Sequence, residues 1–107
     1  MELRSLIRRF IPGDTSIKVL DVTGHEIVGY IRDLNHTGFR LGSNKPFKIG
    51  ALMEGLIECD LENQNKHRIP FTGRCVWGDA SDFGFSIKDI PISEEKMLDQ
   101  LIEKISQ

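Results

Sequence analysis

Apolar positions recur mostly every second residue over residues 16–88, and on either side of that span they recur at helical spacing. Ser16–Val22 (SIKVLDV) reads as a first strand, and Thr23-Gly24-His25 supplies turn chemistry. Glu26–Leu34 is β-branched and aromatic enough for a second strand, and Phe39–Leu41 makes a short third. Residues 42–50 are rich in Gly, Ser, Asn, Lys and Pro and read as a loop. In Leu52–Leu61, Ile57, Cys59 and Leu61 alternate with Glu58 and Asp60; Glu62–Lys66 is a polar hairpin tip. Arg68–Trp77 sets Ile69, Phe71, Gly73, Cys75 and Trp77 against Arg68, Pro70, Thr72, Arg74 and Val76, which places Trp77 with the buried face. Phe83, Phe85 and Ile87 alternate with Gly84, Ser86 and Lys88. Pro70 cannot donate to a ladder, so it belongs at an edge or a strand start.

The period then lengthens. Met97, Leu98, Leu101, Ile102 and Ile105 form a helical stripe after the break at Pro91, with Ser93 as N-cap and Glu94 and Glu95 at the positive helix end. This helix is expected to lie across the barrel or cover an open end. At the other terminus Leu3, Leu6, Ile7, Phe10 and Ile11 also match a helical stripe, ended by Pro12-Gly13. Residues 1–13 therefore read as an arm or short helix, and 14–107 as one β domain. Many short strands with regular turn signals indicate a small barrel or sandwich, and a run of six favours closure, which removes exposed edges.

At 107 residues, 39% hydrophobic and 28% charged, the chain fits one globular domain. Its net charge of -2 argues against DNA or RNA as partner. Charge is unevenly spread: Arg4, Arg8 and Arg9 against Glu2 leave residues 1–13 at +2. The polar, arginine-rich start does not read as a signal peptide and no run approaches a membrane span, so the expected compartment is the cytoplasm with Cys59 and Cys75 reduced. His25, His36 and His67 fall in different loops and neither cysteine has a partner at metal spacing, so no metal and no cofactor is expected. No phosphate-loop or dinucleotide fingerprint occurs and no nucleophile has a base nearby in sequence; the chain does not read as an enzyme.

Two elements carry candidate chemistry. Asp33-Leu34-Asn35-His36-Thr37-Gly38 ends the second strand. Its Asp, Asn and Thr can bond their own backbone, and Gly38 permits a positive φ. Asp33 can also accept from a purine N–H edge, while Asn35 can donate and accept. The other element is Arg4, Arg8 and Arg9, suited to gripping phosphate and stacking on a flat base.

In order and spacing these elements resemble the PilZ domain family over roughly residues 4–105. Arg4-Ser-Leu-Ile-Arg8 fits an Arg-x-x-x-Arg motif, with Arg9 the better match for its second arginine by distance to the first strand. Asp33–Gly38 fits Asp/Asn-x-Ser/Ala-x-x-Gly with Asn35 at the Ser/Ala position, and Gly73–Trp77, Asp82–Ile87 and the terminal helix look like the family's closing elements. The resemblance implies a six-stranded antiparallel β-barrel with a C-terminal α-helix. It also implies a non-catalytic receptor for the bacterial second messenger cyclic di-GMP. Arg8 and Arg9, or Arg4 and Arg8, would then hold the phosphates and stack on guanine. Asp33 and Asn35 would meet guanine edges, and Gly38 would shape the turn. Binding would order the arginine segment and signal to a protein partner. A second reading is a degenerate adaptor that binds no cyclic di-GMP and acts by protein contact, with the Leu3–Ile11 stripe as a docking or homodimer surface.

Overall fold

The computed structural model describes residues 17–60 and 66–106. The expected arm or helix at 1–13, and residues 61–65 at the hairpin tip, lie outside them, while Lys66 of that tip belongs to the following strand. Six strands, β1 (Lys18–Leu20), β2 (Ile27–Asn35), β3 (Gly38–Gly42), β4 (Leu52–Asp60), β5 (Lys66–Asp79) and β6 (Asp82–Asp89), precede a helix, α1 (Ile92–Ser106). They close into a barrel in the order β1-β2-β3-β6-β5-β4, every pairing antiparallel.

The period-2 pattern produces this barrel because one residue in two faces inward. Val19, Leu34, Leu41, Ile57, Ile69 and Cys75 are completely enclosed. Phe39 stacks on Phe85 and meets Phe71 edge-on, each at 5.4 Å between ring centroids. Cys59 and Cys75 are both buried thiols of this core. Pro70 fits its place: β5 pairs with β4 there (Leu56 opposite Pro70), while the ladder to β6 begins only at Thr72, so β5 is locally an edge.

Both mouths of the barrel are stoppered. At one, the loop 43–51 carries Phe47 against Phe83 and Phe85 at 5.1 and 5.3 Å. The other mouth is formed by the end of β2, the start of β3 and the end of β6, and α1 follows directly from it, burying Leu98, Leu101 and Ile102 in the core. The helix thus covers an open end, as its apolar stripe predicts. It starts two residues earlier than the capping pattern suggests: Ile92 is already helical and the Glu94 N–H donates to the Pro91 carbonyl, so Ser93 sits inside the first turn. Pro91 ends the strand-to-helix link without needing an N–H of its own.

Two histidines tie α1 to the barrel. His36 Nε2 pairs with Asp99 Oδ1 and His67 Nε2 with Glu94 Oε1, both at 2.7 Å. His67 lies on β5 and not in a loop. The β1–β2 connection is held by Asp21, whose Oδ1 accepts from Thr23 Oγ1 at 2.8 Å and from the His25 N–H at 3.1 Å. The Thr23 hydroxyl and the backbone N–H groups favour the charged form and hold this carboxyl below its ordinary pKa.

Since Leu41 sits at 0% exposure in the middle of the barrel, Leu41→Ala should cost about 2–5 kcal/mol. A denaturant midpoint unchanged from wild type would contradict this packing.

Candidate functional site

The outer surface of β2, β3, β6 and β5 carries the side chains the core does not use. Ideal alternation would turn Asp33 and Trp77 inward; two β-bulges turn them out. In β2 the register passes from Ile31↔Leu41 to Asp33↔Arg40, leaving Arg32 as the extra residue. In β5 it passes from Cys75↔Phe85 to Trp77↔Gly84, leaving Val76 extra. Each bulge reverses the side-chain parity beyond it. Trp77 is consequently 42% exposed, against the expectation that it joins the buried set. Cys75, which stays inside, has its thiol pushed up by burial, far from the low values of reactive cysteines.

The bulges align four residues in one row across four strands: Asp33 on β2, Arg40 on β3, Gly84 on β6 and Trp77 on β5, each opposite the next. A second row, Asn35, Gly38 and Ser86, lies beside it. Between them opens a cleft of about 290 Å³ lined by these groups together with Thr37 and Val76. Larger hollows, of about 520 and 450 Å³, lie by the loop 44–49 and by Ile27–Arg32; neither is bordered by the Asp33–Gly38 turn.

Arg40 Nε stands 3.3 Å from Asp33 Oδ2, so the row contains a carboxylate and a guanidinium in contact. The Nε is buried and, among the described residues, has no aligned hydrogen-bond acceptor. Asp33 neutralises its charge without satisfying its N–H. A buried donor of this kind is costly unless a further acceptor reaches it.

The turn itself is built by Asn35. Its Oδ1 accepts from the Thr37 N–H (2.9 Å), the Thr37 hydroxyl (2.9 Å) and the Gly38 N–H (3.0 Å). Three converging donors fix which end of the amide is oxygen. Asn35 therefore acts as the side-chain cap of an Asx-type turn, a task a serine hydroxyl also performs. Only its Nδ2 is left to face a ligand. Gly38 is required for a different reason from the expected positive φ, which occurs among the described glycines at Gly24 and Gly50. A Cβ at Gly38 would overlap the Phe85 carbonyl, so glycine is what lets β3 approach β6. His36, at the turn's tip, makes the link to Asp99 of α1 described above.

The structure thus brings Asp33, Asn35 and Gly38 together at one cleft. Arg4, Arg8 and Arg9 lie outside the described residues. Sequence reasoning missed Arg40 and Trp77. Arg40 was within reach of it, two residues beyond Gly38 on the same face of a strand; Trp77 was not, because a bulge leaves no mark in the alternation. Among the described residues no group of three or more His, Cys, Asp or Glu could hold a metal ion, and no helix is long and apolar enough to cross a membrane.

The PilZ domain profile matches residues 4–104. The chain belongs to the PilZ domain family. A solved structure described as the PilZ domain of CeSA from a cellulose-synthesizing bacterium superposes with a TM-score of 0.63 at 20% identity, covering 91% of this chain and 97% of that one. At that identity it supports the fold: a six-stranded antiparallel barrel with one C-terminal helix. No curated protein matches the chain. PilZ domains are known as cyclic di-GMP-binding modules and serve as binding or adaptor domains, not catalysts.

If Asn35 is the turn's cap, Asn35→Ala should lower stability by roughly 1 kcal/mol for the lost hydrogen bonds, while Asn35→Ser recovers most of it. Equal urea midpoints for the alanine and wild-type proteins would refute the capping role.

Proposed function

We propose that this PilZ domain is a cyclic di-GMP receptor whose site is the β2–β3–β6–β5 cleft completed by the N-terminal arginines. The observation that carries this reading is the cross-strand row that sets Asp33 and Arg40 beside the Asn35-capped turn. Asp33 accepts from a guanine N–H edge, and the Asn35 Nδ2 donates to the base or its sugar. A ligand acceptor reaching the cleft would satisfy the Arg40 Nε. Arg8 and Arg9, or Arg4 and Arg8, grip the two phosphates bidentately and stack on guanine. Because these arginines and the turn come from separate parts of the chain, the ligand joins them. Docking of residues 1–13 then alters the surface a protein partner reads. The cytoplasm, where cyclic dinucleotides signal, is the compartment this role requires.

One observation favours the adaptor reading instead. Asp33 is already ion-paired and the Asn35 oxygen already saturated, so the turn is stable without ligand. In that case the apolar stripe Leu3–Ile11 is the working surface, toward another protein or a second copy.

Calorimetric titration with cyclic di-GMP separates the two. The receptor reading expects saturable binding, weakened about tenfold or more by Asp33→Ala and by the double change Arg8→Ala/Arg9→Ala, in line with charge-assisted hydrogen bonds. Arg4→Ala distinguishes the two arginine registers. No heat at any ligand concentration, with a folded protein, overturns it in favour of the adaptor.

A further inference from the structure

The described surface places the sequence's single tryptophan beside the cleft in a way that packing alone does not explain. Trp77 is the largest apolar side chain the protein has, and continued alternation in β5 would have buried it with Cys75. The one-residue bulge at Val76 turns it outward. The sheet is also cleared beneath it. Gly84 lies opposite Trp77, and a Cβ there would overlap the indole nitrogen, with ring carbons Cδ1 and Cε2 both 2.5 Å away. Both flanking carbons are barely farther than the nitrogen, as for a point above the ring and not beyond its N–H edge, so the indole is laid broadside over the β6 backbone. One face of the ring therefore rests on the sheet and the other is turned away from it, at the border of the cleft that Arg40 and Ser86 also line.

We infer that this outer indole face is a stacking platform for a purine base of the ligand, an inference that rests on the receptor reading above. Flat aromatic faces hold bases without regard to hydrogen-bonding pattern. Distance fixes which base. Asp33 and Trp77 stand in the same row but three strand spacings apart, about 14 Å at the usual inter-strand distance. A single purine does not span that gap. Trp77 therefore takes the base that Asp33 does not hold, and the cleft reads a ligand with two bases joined by a charged linker. The guanidinium of Arg40, between the two positions, faces that linker. A mononucleotide can occupy one position only.

Three proteins test this: wild type, Trp77→Ala and Trp77→Phe, each titrated with cyclic di-GMP and with GMP. Calorimetry on wild type is the control for the receptor reading, and absent binding there overturns both proposals together. Where wild type binds, the platform expects quenching or a wavelength shift of its Trp77 fluorescence that saturates with the calorimetric curve. It also expects affinity to fall roughly five- to hundred-fold in Trp77→Ala and only a few-fold in Trp77→Phe, as for base–aromatic stacking elsewhere. GMP should bind much more weakly and lose little on either change. Unchanged fluorescence on saturation, or equal cyclic di-GMP affinity for wild type and Trp77→Ala, overturns the platform and leaves the receptor reading standing. The fluorescence arm needs only the wild-type protein, so a poorly folding alanine variant does not remove the test.

Discussion

Because β4 returns to pair with β1, every strand of this sheet has a neighbour on both sides, and each must divide its residues between an inward and an outward face. The interior is small and is filled by Leu34, Leu41, Ile57, Ile69 and the phenylalanine cluster, with Phe47 and α1 stopping the mouths. The cleft is assembled on the outside of the wall, where neighbouring residues come from different strands and the chain is held straight by its ladders.

That placement explains the rows. An outer-face site has only as many side chains as strict alternation allows, and alternation alone would waste Asp33 and Trp77 on the core. The bulges at Arg32 and Val76 change their direction while leaving the β3–β6 ladder between them regular. Glycines finish the arrangement: Gly38 allows β3 and β6 to close up, and Gly84 gives the indole a flat floor. The Asp33–Gly38 turn is then pinned twice, locally by the Asn35 oxygen and remotely by the bond from its own His36 to Asp99 on the helix that seals the barrel.

Much of this was legible in the chain. Alternation of Ile57 with Cys59, of Ile69 with Phe71 and of Phe83 with Phe85 is a local record of burial, so the strands, their closure and the terminal helix could be read from it. The turn was visible because Asn and Gly act on their own backbone. What could not be read depends on partners distant in sequence or on irregularity. His36 meets Asp99 and Arg40 meets Asp33 only after folding. Gly38 looked like a residue needed for its backbone angle, and its real constraint is the Phe85 carbonyl on another strand. Trp77 was misplaced because one added residue at Val76 inverts parity without altering composition.

The bulge at Val76 also bears on how such a surface can change over time. Inner and outer residues interleave along β5, so a point substitution touches either the core or the cleft and spares the other. Deleting Val76 itself would leave Cys75 opposite Phe85 and the tryptophan opposite Gly84, so the ladder would become regular and the indole would still face out. This surface can thus vary by substitution, and even by loss of this one residue, without its two faces falling out of step.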